Sequence, residues 1–251
     1  MTVNHDVASS SLASGVRYCK SIYVSIDGLF CYNIIMKLKK SYQLYASFGL
    51  VFFVMLGYLV KFFPSTLTGI DRQIQLIVRH NMSDGLTSFY KFVTNFGGTV
   101  YVPILLSIVL VFLVLRKWYS EAIFISLNVS IVPILISLLK HIYGRTRPSL
   151  QHLVVENGLS FPSGHASTSL MFYACLMVLI CQRLRNRQMK WLVRVLVGMF
   201  IVLIGMSRIY LGVHYPTDIL GGWLMSGSML LMTYPIYDEV RFKWRFMGVQ
   251  K

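Results

Sequence analysis

Nine residues in the second half of this chain carry side chains suited to chemistry on a phosphate, and they fall in three blocks. The first runs from Lys140 to Pro148 and places Lys140 seven positions before Arg147. The second is Pro162-Ser163-Gly164-His165. The third opens with Ser207-Arg208 and closes with His214-Tyr215-Pro216-Thr217-Asp218. Together they hold permanent cations, two imidazoles and a carboxylate. Phosphoryl transfer needs that set: fixed positive charge for a polyanion, a nucleophile and a proton donor. Ser163 and Gly164 sit just before an apolar run, where a serine caps a helix and the free N–H groups of the helix start attract anions. Gly164 also lets backbone come close to a ligand. Asp218 follows His214 by four positions, close enough to fix an imidazole tautomer, although an acid there also suits a helix N-terminus.

Each of these residues has a plainer use. A lone lysine or arginine near a helix end is commonly an interfacial anchor, and His80, His141 and His152 have no claim beyond a structural or surface one. Arg145 is left as a loop or lipid contact, and Ser207 as a source of one hydrogen bond. Four cysteines form no CxxC pair, and no His/Cys or Asp cluster suggests a metal, so neither a metal nor another cofactor is expected.

The elements that position the blocks are apolar runs. The chain has 251 residues, 55% hydrophobic and 13% charged, with a mean hydropathy of +0.62. A soluble domain carries about twice that charged fraction. Runs over Ser41–Val60, Thr99–Leu115, Ala122–Leu139, Ala166–Gln182, Trp191–Met206 and Ile219–Tyr237 predict six membrane helices. Ile70, Ile74, Ile77 and Val78 predict a short amphipathic helix at the interface. The fold class is therefore all-α, a polytopic membrane protein with one domain over 36–251. Residues 1–35 read as an upstream extension or disordered arm.

A net charge of +15 suggests nucleic acid at first sight. The basic residues instead form short clusters at 37–40, 116–117, 183–190 and 241–245, all on one side of a six-span chain. The positive-inside rule makes that side, and both termini, cytoplasmic, and leaves the three blocks outside the cell membrane. Lys140, Arg147 and Arg208 then lie on the side that rule disfavours, and an anionic ligand explains them. Nucleic acid is not expected as a partner.

The blocks resemble the three signatures of the type 2 phosphatidic acid phosphatase (PAP2) family, K-x6-R-P, P-S-G-H and S-R-x5-H-x3-D, with every defining position matched and in order. The resemblance implies a six-helix core shared with vanadium-dependent haloperoxidases. It implies a phosphohistidine on His214, proton transfer by His165, orientation of His214 by Asp218, and phosphate contacts from Lys140, Arg147, Ser163, Gly164 and Arg208. The expected activity is hydrolysis of a lipid phosphate or diphosphate, of the undecaprenyl diphosphate or phosphatidylglycerol phosphate type, at the outer face. The alternatives are a lipid phosphotransferase and a non-catalytic lipid-binding membrane protein.

Overall fold

The computed structural model describes residues 26–250, with side chains from Lys39 to Gln250. The described residues form eight helices and no strand: α1 (Ile26–Phe62), α2 (Pro64–Arg79), α3 (Asp84–Asn95), α4 (Tyr101–Leu115), α5 (Tyr119–Tyr143), α6 (Gly164–Arg183), α7 (Arg187–Tyr210) and α8 (Pro216–Phe246). The expected extension over 1–35 falls for residues 1–25 outside the described residues. From Ile26 the backbone is already helical.

Within α1 the apolar stretch is Lys39–Phe62. This stretch and α5, α6, α7 and α8 are long and apolar enough to cross a membrane. α4 is a shorter apolar helix whose 15 residues rise about 22 Å. The six runs expected from hydropathy thus appear as one bundle, with ends shifted by at most four residues except in α8, which runs nine residues past Tyr237. α6 is its centre: 56% of its apolar window is buried, against 22% for α1. It packs on α5, α7, α8 and α4, while α1 lies along α8. Leucine, isoleucine and phenylalanine side chains such as Phe48, Ile108, Ile134 and Leu196 remain exposed on the outside of the bundle, as lipid-facing positions require.

The basic clusters gather at one end. Glu121 is almost fully buried and accepts from Arg183 at 2.7 Å and Arg245 at 2.8 Å, with Arg241 at 3.5 Å. Lys39 pairs with Glu239 in the same region of the chain path. The three chemical blocks emerge at the other end, where α2 and α3 also lie. Hydropathy predicted one amphipathic helix between residues 64 and 98, and the structure has two. α2 buries Leu67, Asp71 and Gln75 on one face and exposes Ile70, Leu76 and Ile77 on the other. α3 is started by the Ser83 hydroxyl, which accepts from the Leu86 N–H, and it rests on α7 through Tyr90 and Tyr210, ring centroids 4.5 Å apart. Leu86, Tyr90 and Val93 fall at i, i+4 and i+7 and turn inward, so this helix carries its own apolar stripe, and the single-helix expectation overlooked it.

Candidate active site

Each block reaches the site because a helix ends just before it or starts just after it. α5 stops at Gly144, which adopts φ +67° and donates its N–H to the Lys140 carbonyl at 2.9 Å. Left-handed backbone there is open to glycine without the cost a Cβ would add. The turn leaves Lys140 on the last helical turn and sends Arg145 and Arg147 back across the bundle end. α6 begins after Ser163, whose buried hydroxyl accepts from Ala166 N–H and whose own N–H donates to the Asp218 carbonyl at 3.0 Å. Both groups of Ser163 are thus engaged in holding the helix start, while Gly164 and His165 face the cavity. α8 begins at Pro216, which pre-sets the first helical φ. Asp218 Oδ2 accepts the Tyr215 N–H at 2.8 Å and so caps the helix it belongs to.

Block three meets block two through a close helix crossing. A Cβ on Gly222 would lie 2.7 Å from Ser167 Oγ and 2.9 Å from the Ser163 carbonyl oxygen, so only glycine lets α8 pass the start of α6. Ser226, one turn further along the same face, is fully buried as well. The carboxylate of Asp218 is then enclosed on all sides. Oδ2 faces His214 Nδ1 at 3.3 Å and accepts from the Ser160 hydroxyl, and Oδ1 accepts from Arg145 at 2.7 Å.

His214 is buried, on the short 211–215 link between α7 and α8. Because Nδ1 faces a carboxylate, that nitrogen carries the proton and Nε2 keeps its lone pair. Nε2 lies 3.3 Å from Arg147 Nη1, directed at the cationic side of the site. Burial pushes the His214 pKa down to about 4, against the opposing pull of Asp218, so the ring is neutral at physiological pH.

Arg147 ties the parts of the site together. It donates to the carbonyls of Gly158, Asn157 and Val213, besides its contact with His214. Arg208, almost fully buried, donates to Thr94 Oγ1 at 2.9 Å, and its Nε has no acceptor among the described residues. Both guanidiniums hold Glu156: Arg208 by a short charge-assisted bond and Arg147 at 3.4 Å. His165 Nδ1 is 3.9 Å from the same carboxylate. Burial alone would raise the Glu156 pKa, but Arg208 and Arg147 outweigh it and hold the group below the usual carboxylate range. An anion thus already sits where the cations converge.

A cavity of about 540 Å³ opens from this point. Lys140, His165, His214, Gly164 and Glu156 line its polar end. Val102 and Leu106 of α4 and Val129 and Pro133 of α5 line the rest, well down the two helices. Lys140 to Val129 is a helical rise of about 16 Å, so the cavity runs from the bundle end into its apolar depth.

The eight residues singled out from the sequence therefore come together. Sequence reasoning missed four others: Asp71 and Thr94 on α2 and α3, and Glu156 and Ser160 in the loop between the first two blocks. Arg145, set aside as a loop contact, instead bridges Asp71 and Asp218 at 2.7 Å each. One signal was available. The chain has nine acidic residues in 251, and three of them, Asp71, Glu156 and Asp218, stand at this site.

A model of the PAP2 superfamily matches residues 121–242, the segment that holds all three blocks. Phosphatidylglycerophosphatase B of Bacillus subtilis (strain 168) is 37% identical over 103 residues, 41% of this chain and 50% of that protein; the chain thus aligns with about half the length of this relative. Undecaprenyl-diphosphatase BcrC of the same organism is 31% identical over 162 residues, 62% of this chain and 77% of that one. Among solved structures, a transmembrane PAP2 type phosphatidylglycerolphosphate phosphatase from Bacillus subtilis superposes with a TM-score of 0.69 at 26% identity, over 78% of this chain and 96% of its own.

Proposed function

This chain belongs to the PAP2 superfamily, and from that premise we propose that it is an integral membrane phosphatase that hydrolyses a lipid phosphate or diphosphate through a phosphohistidine. One observation carries the reading. The unprotonated Nε2 of a buried, carboxylate-backed His214 faces a cluster of cations at the mouth of a cavity that continues between apolar helices.

In the proposed cycle the phosphate of the substrate takes the place of the Glu156 carboxylate against Arg147 and Arg208. Lys140 and the N–H groups at the start of α6 complete its neutralisation. His214 Nε2 attacks phosphorus; the N–P bond forms as the P–O bond to the leaving group breaks, and His165 delivers a proton to that oxygen. Asp218 stabilises the imidazolium and keeps the ring oriented. His165 then takes a proton from water as the water oxygen bonds to phosphorus and the N–P bond breaks, releasing inorganic phosphate. The charge stabilisation comes from Lys140, Arg147 and Arg208, so activity is expected to persist in EDTA and to fall with orthovanadate.

The bundle end that holds the site lies opposite the basic clusters, and the positive-inside rule supports an extracytoplasmic site with both termini in the cytoplasm. The membrane in question is the cell membrane. A lipid whose headgroup reaches the cation cluster while its chain enters between α4 and α5 fits the cavity, and a soluble sugar phosphate has no use for its apolar walls. Undecaprenyl diphosphate ranks first as substrate: a single chain fills one slot between two helices, and a relative that this chain covers well is an undecaprenyl-diphosphatase. Phosphatidylglycerol phosphate is the close competitor.

The test is phosphate release by purified protein in detergent, with both lipids and with His214→Ala as control. Turnover of either lipid, lost in the variant together with a trappable phosphoenzyme, is the expected result. Near-normal turnover by folded His214→Ala would overturn the nucleophile assignment. Phosphatidylglycerol phosphate hydrolysed at least about tenfold more efficiently, some 1.4 kcal/mol in transition-state binding, would reverse the substrate ranking.

A further inference from the structure

The interfacial helix α2 reaches the catalytic loop with one face. Asp71, Gln75 and Arg79 are spaced i, i+4, i+8 and so project in one direction. Gln75 approaches the His214 carbonyl at 3.4 Å, and Arg79 donates to the Gln151 carbonyl at 3.0 Å. Asp71, fully buried, accepts from Thr217 N–H at 3.0 Å and Thr217 Oγ1 at 2.8 Å. Its Oδ2 also takes Arg145 Nη2 at 2.7 Å, while Arg145 Nη1 reaches Asp218 Oδ1 at the same distance. The guanidinium carbon lies over the Tyr215 ring, 3.9 Å from its centroid. A buried row results: Asp71, Arg145, Asp218, His214.

We propose that Asp71 and Arg145 are positioning residues for the nucleophile, the Asp71–Arg145 pair fixing the Asp218 carboxylate and setting how much of its charge His214 feels. The proposal rests on His214 being the nucleophile. The electrostatic argument is direct. An arginine bonded to Asp218 alone would draw that carboxylate's charge away from the imidazole. A second carboxylate on the far fork of the same arginine balances it and leaves Asp218 free to support an imidazolium. The planar fork is needed as well, since only a guanidinium offers two parallel sets of donors to two carboxylates at once. Neither residue lines the cavity that takes the substrate.

The groups that face His214 are Asp218 of α8, Arg147 and Glu156 of the 144–163 loop, Arg208 of α7, and across the cavity Lys140 of α5 and His165 of α6. From α2, Asp71 and Arg79 stand behind Arg145 and the loop. All but Asp71 and Arg145 are unchanged in the experiment that separates the proposal from a general weakening of the fold.

Asp71→Asn, Arg145→Met and the double variant are purified beside the parent and His214→Ala, and kcat, KM, vanadate inhibition and the pH profile of kcat/KM are measured. Asp71→Asn is expected to lower kcat by about tenfold while KM and vanadate inhibition stay within about twofold, because the phosphate cradle is untouched. Arg145→Met, which releases Asp218 to His214, is expected to move the acid limb upward by roughly 0.5 pH unit or more. In the Arg145→Met background Asp71→Asn is expected to add less than about twofold, since its effect passes through Arg145. Parallel loss of kcat and vanadate binding in Asp71→Asn, or simple multiplication of the two effects, overturns the proposal. If Asp71→Asn yields no folded protein, the Arg145→Met profile decides: a limb that stays or falls refutes it. An active His214→Ala would instead refute the underlying mechanism, so the two failures are distinct.

Discussion

His214 makes the strongest demand of any single residue, because the nucleophile proposed for that position must be uncharged to attack, and here the imidazole is also buried. Its pKa of about 4 in the folded protein lies below the 6.5 of a free imidazole. Between those values the unfolded chain binds a proton that the folded chain refuses. The stability this represents is full above about pH 6.5 and drains away as pH falls toward 4, on the order of 3 kcal/mol in all. Glu156, held below the carboxylate range, loses its contribution in the same direction as pH falls through that range. Thermal unfolding in detergent is therefore expected to shift downward from pH 7 to pH 4.5, and less steeply for His214→Gln. Equal slopes for the two proteins would show that His214 is not the group responsible. Glu156 supplies a second prediction. It occupies the two arginines that the proposed mechanism assigns to the incoming phosphate, so Glu156→Gln is expected to tighten orthovanadate inhibition by about tenfold, equivalent to some 1.4 kcal/mol of removed competition. Unchanged or weaker inhibition would mean that the carboxylate does not stand in the anion's place.

Among the elements, the six apolar runs and the three blocks were legible because each signal is local. A span announces itself by length and hydropathy, and Lys140, Arg147, His165, Arg208, His214 and Asp218 sit at fixed spacings beside span ends. α2 was legible from its apolar face, but the meaning of its other face was not. Nothing near Asp71 in sequence says that its partners are Arg145 and Thr217, 74 and 146 positions away. Glu156 and Ser160 were hidden for the same reason, inside a loop without periodicity. Ser163 shows the reverse: its sequence position suits both a cap and a phosphate contact, and the fold engages its hydroxyl and N–H in the cap and the Asp218 carbonyl. The crossing of α6 and α8 is the element-scale feature most open to test. Gly222→Ala forces a methyl against the Ser163 carbonyl, a backbone atom that cannot rotate aside. Overpacking of this kind costs about 1–3 kcal/mol. The expected outcome is a lower unfolding temperature with a larger loss of kcat than of stability, because Asp218 lies one turn up the same helix. Adding Ser167→Ala removes only the hydroxyl contact and is expected to restore little. Full recovery in that double variant would put the strain on Ser167 and leave the backbone crossing without a role.

Over the whole molecule, charge is sorted between the two ends of the bundle in opposite ways. At one end Arg183, Arg241 and Arg245 surround the buried Glu121, and Arg116, Lys117 and Arg185 in the links and Arg187 and Lys190 at the start of α7 stand beside them without a motif of their own. That excess is the kind retained on the cytoplasmic side during insertion. At the other end three arginines have carboxylate partners at the candidate site: Arg145 with Asp71 and Asp218, Arg147 and Arg208 with Glu156. Those three charges are matched locally, so they oppose translocation less than an unpaired cluster would. An even number of crossings then returns the chain to the side it started from. The prediction is read by labelling with a membrane-impermeant thiol reagent in intact cells, in a variant freed of its native cysteines. Cysteine at Val155, which is 92% exposed on the loop beside the site, is expected to react before lysis. Cysteine at Arg185, in the link between α6 and α7, is expected to react only after lysis. The reverse pattern would put the end that holds the candidate site in the cytoplasm and require an intracellular lipid phosphate as substrate.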